Sequence, residues 1–242
     1  MLFSTLKRHF SAAIVSTVML LSATGVSATQ AATPAKPVYD QLTPENSALL
    51  LIDYQPQYVF ATQSISIDTL VNNAVALTET AQAFKLPTVI TTVTSKAYGG
   101  PVFPQIAAAA PGVDVIDRTR INAWQDERVR DAIHKTGRKK LIIAGLWTDN
   151  CVMLPALAAL QEGYEVYVVT DASGDMDAES HERAVQRLVQ AGAVPITWLP
   201  VLLELQADWT QDVTHGAVSG IIKNHVGAMG LGMFYKRAMS SQ

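Results

Sequence analysis

Residues 141–160 read LIIAGLWTDNCVMLPALAAL, and this stretch decides the fold. Its first four residues, 141–144, form a short apolar run typical of a buried parallel strand, and residues 151–160 continue with a helical pattern. The turn between them, at 148–150, consists of residue types favoured at helix N-termini. The stretch therefore predicts a strand, a tight turn and a helix, with Cys151 in the first helical turn.

Cys151 is the only cysteine in the chain, and its position allows two interpretations. A lone cysteine often packs as a small hydrophobic side chain in the core. A nucleophile-type residue between a strand and a helix, however, has the geometry of a nucleophile elbow, at the edge where open α/β sheets bind ligands. The first helical turn also favours a thiolate, because it offers N–H groups and the positive end of the helix dipole.

Outside this stretch, predicted strands and helices alternate along the chain. Buried or β-branched runs predict strands at 47–52, 88–93, 113–116, 165–170 and 194–198, and periodic apolar residues predict helices at 70–84, 125–136, 177–191 and 201–209. Such alternation predicts right-handed crossovers and an α/β fold with a parallel sheet covered by helices on both faces.

The amino-terminal segment has the composition of a secretory signal. Lys7 and Arg8 precede an apolar segment at 11–26, and small residues follow it. We therefore predict a signal peptide at 1–28. The alternative is an uncleaved membrane anchor, but the apolar segment contains several Ser and Thr residues and is short for a span.

Three further segments follow the leader. Residues 29–45 contain three prolines and predict a linker or extended arm, while 46–210 contains the alternating strands and helices. Residues 211–242 are Gly-rich and apolar, with little charge over the second half. Such a tail must pack on its own domain or on a neighbouring subunit, and we expect a homo-oligomer contact.

Charge and composition narrow the range of functions. Without residues 1–28, 16 Lys and Arg remain against 21 Asp and Glu, giving a formal net charge of −5, which argues against a nucleic-acid partner. The leader predicts export, to the periplasm, with no membrane attachment after cleavage. In that oxidising compartment a single cysteine cannot form an internal disulfide. The sequence shows neither a metal-ligand cluster nor a Gly-rich phosphate loop, so we expect no metal and no other cofactor.

A thiol nucleophile needs a base and a group that stabilises the thiolate. Asp53 ends the first apolar strand at the edge where the Cys151 turn must also lie, and burial would raise its pKa toward that of a useful base. Gln55 could orient Asp53, and Arg118 or Arg120 could stabilise the thiolate. The alternatives are a turn residue for the aspartate and solvent-exposed side chains for the arginines.

Four separated stretches resemble the isochorismatase-like cysteine hydrolases, and in particular their YcaC-like branch. These are DYQ at 53–55, RTRINAW at 118–124, GLWTDNC at 145–151 and VVTDASG at 168–174. Their order and spacing together are specific, although each motif alone is only moderately so. The resemblance extends from about residue 46 to residue 209.

The resemblance implies a three-layer α/β/α sandwich with a central parallel sheet and a catalytic triad at its carboxyl edge. By position, Asp53 is the general base and Cys151 the nucleophile. The middle member, usually lysine in this family, is Arg118, whose charge would stabilise rather than transfer a proton. The family's cis peptide would fall at 146–147 and aim the backbone N–H groups of Trp147 and Cys151 at an oxyanion.

The implied activity is cysteine-dependent cleavage of a small amide or a related C–N bond through a thioester. Family members without the cysteine cleave an enol ether, and nicotinamidases carry an Asp and His metal cluster that residues 95–104 lack. We expect Gln55, Tyr58, Phe60, Arg120 and Trp124 to shape the pocket for a small-molecule substrate, although aromatic residues can equally be core.

Two other functions remain open at this point. In one, the protein is an exported redox-responsive protein whose Cys151 becomes oxidised without hydrolysis. In the other, it is a non-catalytic oligomeric protein with the same fold.

Overall fold

The computed structural model describes residues 40–240, so the predicted signal peptide and most of the predicted arm lie outside the described residues. The six strands in this range are β1 Ser47–Ile52, β2 Thr88–Val93, β3 Val115–Arg118, β4 Lys140–Gly145, β5 Glu165–Val169 and β6 Val194–Ile196. The α-helices in the same range are α1 Pro56–Ala61, α2 Ile67–Ala83, α3 Pro104–Ala109, α4 Glu127–Lys135, α5 Met153–Gln161, α6 Ala178–Gln190, α7 Trp198–Gln206, α8 Asp212–His225 and α9 Gly227–Met239.

All strands are parallel, in the order β3-β2-β1-β4-β5-β6. Ile52 at the end of β1 pairs with Thr91 of β2 and with Gly145 of β4, so these strands end at nearly the same level. The chain order reverses between β1 and β4, and the carboxyl edge at such a reversal is where open α/β sheets bind ligands.

Two hydrophobic cores cover the two faces of the sheet. Along β1, Leu49 and Leu51 belong to the core formed with α2, α7 and α8, whereas Leu50 and Ile52 belong to the core formed with α4, α5 and α6. This division follows from the twofold alternation of side chains along a strand. The predicted three-layer α/β/α fold with a parallel sheet is confirmed.

The largest differences from the predicted elements lie at their ends. The third strand begins at Val115 rather than 113, and the last strand stops at Ile196 because Trp198 begins α7. Helix α1 was not predicted; Pro56 opens it, at a position where the missing N–H has no intrahelical partner. Helix α5 begins at Met153, two residues later than predicted, so Cys151 lies in the turn before this helix.

The carboxyl-terminal tail forms the helices α8 and α9. On α8, Val218, Ile221 and Ile222 are buried against the core around α2, so this part of the tail packs on its own domain. By contrast, α9 leaves five large hydrophobic side chains exposed: Met229, Leu231, Phe234, Tyr235 and Met239. Across residues 40–240, none of the helices is both long and apolar enough to span a bilayer.

Candidate active site

Asp53 directly follows β1, and neighbouring strand β2 fixes its position. Its backbone N–H donates to the Thr91 carbonyl at 3.0 Å, and the Thr91 hydroxyl donates to its carboxylate at 3.3 Å. The residue has a φ of 54°, a left-handed conformation that aspartate adopts more readily than most residues. Its side chain is 0% exposed.

Arg118 ends β3 and reaches across the end of β2 to Asp53. Its Nη2 lies 2.6 Å from Asp53 Oδ2, and its side chain is also fully buried. Its Nη1 donates to the Arg120 carbonyl. Among residues 40–240, its Nε has no hydrogen-bond partner and is buried away from solvent.

Cys151 lies in a wide helical turn, Thr148–Val152, between β4 and α5. The N–H and the hydroxyl of Thr148 both donate to the Gly174 carbonyl, at 2.9 and 3.0 Å. The next residue, Asp149, donates its N–H to the buried Asp175 carboxylate at 2.9 Å. The turn that carries the thiol is therefore held by the loop after β5.

Close contact between two strand ends brings the turn beside Asp53. A Cβ at Gly145 would lie 2.2 Å from the Ile52 carbonyl oxygen, and the φ of Gly145 is +155°. Only glycine permits this approach. One residue further along, the peptide bond between Leu146 and Trp147 is cis, as the resemblance implied.

Asp53 and Arg118 both lie close enough to the Cys151 thiol to affect its pKa, and Asp53 lines the same cavity as Cys151. Three segments that are distant in sequence thus bring an acid, a cation and a sulfur near one another. Burial raises the pKa of Asp53 to about 6, although Arg118 and hydrogen bonds act in the opposite direction. Asp53 is therefore largely ionised at neutral pH and can accept a proton.

The resting state of Cys151 differs from the thiolate that the sequence indicated. Burial, followed by the nearby Asp53 charge, raises the pKa of the thiol to about 12, and Arg118 only partly offsets these effects. The dipole of a following helix does not overcome them. Cys151 is thus a neutral thiol at rest and depends on a neighbouring base.

A cavity of about 210 Å³ opens beside the sulfur. Its lining combines aromatic and aliphatic side chains with an amide, a carboxylate and the thiol: Asp53, Tyr58, Val93, Ile121, Leu146, Trp147, Asn150 and Cys151. The Tyr58 and Trp147 rings meet edge to face, with centroids 5.2 Å apart and planes at 80°. Of the five predicted pocket residues, only Tyr58 lines this cavity.

Gln55 and Phe60, both predicted pocket residues, do not line this cavity. The Gln55 amide donates to the Val93 and Gly100 carbonyls, at 3.1 and 2.7 Å, and accepts from the Val93 N–H at 2.8 Å. It therefore fixes the end of β2. Phe60 is 66% exposed and contacts the Phe103 ring, because helix α1 turns this side chain away from the cavity.

Trp124 and Arg120 also lie elsewhere. Trp124 is buried in the core formed with α4 and α5, where its indole N–H donates to Glu162 at 2.7 Å and its ring contacts Tyr164. Arg120 has an exposed side chain, and it is the backbone carbonyl of this residue that contacts Arg118. Neither side chain lines the cavity.

Several residues of the site escaped the sequence analysis. Thr91, Val93 and Leu146 lie near the carboxyl ends of β2 and β4, so the convergence of parallel strand ends could have indicated them. Asn150 immediately precedes Cys151, and its Oδ1 accepts the Cys151 N–H at 2.5 Å. Ile121 lies in a loop, and its residue type did not indicate that it would line the cavity.

Metal ligation finds no support in the described part of the chain. Residues 40–240 contain no group of three or more His, Cys, Asp or Glu side chains that could hold a metal ion.

Comparison with known proteins agrees with this geometry. Residues 47–199 match the isochorismatase domain family. The chain is 40% identical to the probable hydrolase YcaC of Escherichia coli over 189 residues, covering 78% of this chain and 90% of that protein.

Two solved structures resemble the whole described domain. The first is the E. coli YcaC gene product, described as an octameric hydrolase of unknown specificity; it has a TM-score of 0.80 and 38% identity, over 84% of this chain and 99% of that one. The second is YcaC from Pseudomonas aeruginosa with hexane-2,5-diol and covalent acrylamide, with a TM-score of 0.78 and 36% identity, over 83% and 100% of the two chains. The resemblance inferred from the sequence motifs is confirmed, including its YcaC-like branch.

Proposed function

The chain belongs to the isochorismatase family of hydrolases, and on that basis we propose that it cleaves a small amide, or a related C–N bond, through a covalent thioester on Cys151. The observation that carries this proposal is that the Cys151 thiol lines a small cavity together with Asp53, which is paired with Arg118 at 2.6 Å. A nucleophile, a base and a charge-stabilising group are the minimum set for such chemistry.

Asp53 acts as the proton carrier in both halves of the reaction. Its carboxylate takes the thiol proton while sulfur bonds to the carbonyl carbon, and the same proton then passes to the nitrogen as the C–N bond breaks and ammonia leaves. In the second half, Asp53 takes a proton from water, whose oxygen attacks the thioester. The acid product leaves, and the proton returns to sulfur.

We assign proton transfer to the same step as the attack of sulfur. The pKa of the thiol, about 12, lies well above that of Asp53, about 6, so a free thiolate is scarcely populated. Arg118 stabilises the negative charge that the Asp53 and Cys151 pair shares at every stage. Its permanent charge and full burial suit this role and not that of an acid or base.

We place the developing oxyanion against the backbone N–H groups of Trp147 and Cys151. The Cys151 N–H donates to the Asn150 side chain in the described structure. The substrate oxygen must therefore displace the Asn150 amide from this donor as it binds. Asn150 lines the cavity, where a small rotation of its side chain can accommodate the exchange.

The Pseudomonas relative has acrylamide covalently attached in its structure, which is consistent with a reactive group that small uncharged molecules can reach. The redox alternative is weaker. A buried thiol with a raised pKa has little of the thiolate character on which oxidation depends.

Assembly and location complete the proposal. The E. coli relative is octameric, and we propose that this chain also forms a homo-oligomer, with the exposed apolar side chains of α9 among its contacts. We further propose export to the periplasm with removal of the leader, on the composition of residues 1–28 alone.

The decisive experiment combines product and intermediate detection. The purified protein is incubated with a panel of small primary amides, ammonia is measured, and rapidly quenched samples are analysed for an acyl group on the peptide that contains Cys151. Ammonia release with an acylated Cys151 supports the proposal. Ammonia release with acylation absent under all quench conditions, or no turnover of any amide, contradicts it.

A further inference from the structure

The cavity beside Cys151 contains one carboxylate and no cationic side chain. Among the described residues that line it, Asp53 is the only acid, and no Lys, Arg or His is present. The charge of Asp53 is balanced by Arg118 at 2.6 Å. Asp53 thus presents its carboxylate to the cavity, while its counterion Arg118 is not among the lining residues.

The two nearest arginines cannot serve an anionic ligand. Arg118 is not among the lining residues, its guanidinium is engaged by Asp53 and the Arg120 carbonyl, and its remaining Nε is buried away from solvent. Arg120 does not line the cavity either, and its side chain is exposed to solvent. A second negative charge in the cavity would therefore find no counterion.

The walls of the cavity are apolar and fixed. Tyr58 and Trp147 form the aromatic wall. The Trp147 indole N–H donates to the Thr62 hydroxyl at 3.2 Å, and this hydroxyl donates to the Tyr58 carbonyl at 2.8 Å, so Thr62 links the two residues. Val93, Ile121 and Leu146 complete the apolar lining. The volume of about 210 Å³ lies below the range of about 300–1,000 Å³ of sites for drug-sized ligands.

We propose that this site, acting in the amide hydrolysis proposed above, selects small uncharged substrates with an apolar acyl group. It excludes substrates that carry a carboxylate in addition to the reacting amide. Moving a carboxylate out of water is costly unless a cation or hydrogen-bond donors replace the lost hydration. Here the carboxylate would also lie close to the Asp53 charge. An aliphatic group of the same shape instead gains contact with the apolar walls.

The same selection acts on the product. Hydrolysis converts a neutral amide into a carboxylate, which the cavity binds less well than it binds the substrate. We therefore expect the acid product to leave readily and to inhibit weakly.

The first test uses two alkylating reagents of nearly the same shape, neutral iodoacetamide and anionic iodoacetate, on the single cysteine. Rates are measured at pH 8, where Asp53 is ionised, on the native protein and on the urea-unfolded chain. We expect the ratio of iodoacetamide to iodoacetate rates to be about tenfold or more higher in the native protein. Equal ratios in the two states would overturn the inference.

A matched pair of variants tests the role of charge. Ile121 lines the cavity and is 60% exposed, so Ile121→Lys adds a cation at its mouth, and Ile121→Gln adds polarity of similar size without charge. In the native state, the Lys variant should have a severalfold lower ratio of iodoacetamide to iodoacetate rates. The Gln variant should keep this ratio near the wild-type value. An equal change in both variants would show that polarity, and not charge, governs access, and would overturn the inference.

The second test separates this inference from the amidase proposal. Three amides of similar shape are compared: 4-methylpentanamide, succinamide and succinamate, which are apolar, polar and anionic. We expect kcat/KM to fall in that order, with succinamate at least about tenfold below succinamide. Turnover of succinamate as fast as 4-methylpentanamide would overturn the selectivity but keep the amidase. Absence of all turnover would reject the amidase, and the alkylation ratio would still decide the selectivity.

Discussion

The guanidinium of Arg118 lies 2.6 Å from the carboxylate of Asp53, and neither side chain reaches solvent. Arg118 ends β3, and Asp53 directly follows β1. Because β2 lies between these two strands, the pair bridges the carboxyl edge of the sheet over the end of β2. Because both side chains are buried, water could not solvate either charge if its partner were removed. The pair therefore couples the stability of this edge to the protonation state of Asp53.

Replacing Arg118 with Met should destabilise the protein in a pH-dependent manner. The variant leaves Asp53 buried without its cation, a change that typically costs about 3–5 kcal/mol of unfolding free energy when the remaining group is charged. Losing Arg118 also raises the pKa of Asp53 further, so at low pH the acid is neutral and the cost is smaller. Urea unfolding at pH 5 and pH 8 should show the larger loss at pH 8.

The double variant Asp53→Asn with Arg118→Met is the control, since it contains neither charge. Its loss relative to the wild type should be smaller than that of Arg118→Met at pH 8, and smaller at pH 8 than at pH 5, because only the wild type loses stability as Asp53 ionises. In the wild type, the folded pKa of Asp53, about 6, exceeds the ordinary aspartate value of 3.8. The stability contributed by this group is thus present below about pH 4 and lost as pH rises through 6. A double variant with the same pH dependence as the single variant would contradict this account.

The pH dependence of hydrolysis should report Asp53. Because the carboxylate form acts as base, kcat/KM should rise with pH, with a midpoint near the pKa of about 6, and reach a plateau above it. The thiol, with a pKa of about 12, should add no further step between pH 7 and 9. Initial rates across pH 4.5–9 test this, and a profile flat through pH 6 would exclude Asp53 as the base.

Thr91 should tune that midpoint. Its hydroxyl donates to the Asp53 carboxylate at 3.3 Å and stabilises the ionised form. Thr91→Val removes this donor while keeping the shape of the side chain, so the rising limb should shift to higher pH by less than about one unit. Thr92→Val is a matched control, because the Thr92 hydroxyl donates to Asp117 instead. Equal shifts in both variants would argue against a specific role for Thr91.

Removal of the nucleophile should abolish turnover without unfolding the protein. Cys151→Ala loses a half-buried sulfur, and we expect kcat/KM to fall at least about a thousandfold. The unfolding free energy should change by about 1 kcal/mol or less, since the side chain is small. Ammonia release and urea unfolding measure the two effects. Wild-type turnover in the alanine variant would rule out covalent catalysis at this residue.

Gly145 should tolerate no side chain. A Cβ there would lie 2.2 Å from the Ile52 carbonyl oxygen. The pairing of β1 with β4 fixes the backbone of both Ile52 and Gly145, so neither can move away. Gly145→Ala should cost about 3 kcal/mol or more and displace the Cys151 turn from Asp53. Gly137→Ala controls for backbone conformation alone, because Gly137 also has a positive φ but open space around it. It should cost about 1 kcal/mol.

The sequence alone predicted the layered fold and the three residues that the structure brings into contact. Strand and helix patterns are local properties, read from the alternation and spacing of apolar residues. Once the strands are parallel, their carboxyl ends must converge, so Asp53, Arg118 and Cys151 could be expected at one edge before any coordinate was known. The motifs around them specified the family.

Only the tertiary structure decided which side chains face the cavity and which charge state the thiol adopts. The direction of Gln55 and Trp124 depends on partners far away in sequence, namely the end of β2 and Glu162. The pKa of Cys151 likewise depends on how completely the surrounding elements exclude water from it. Desolvation is a property of the assembled core and not of neighbours along the chain, which is why the helix turn alone indicated a thiolate and the folded protein holds a thiol.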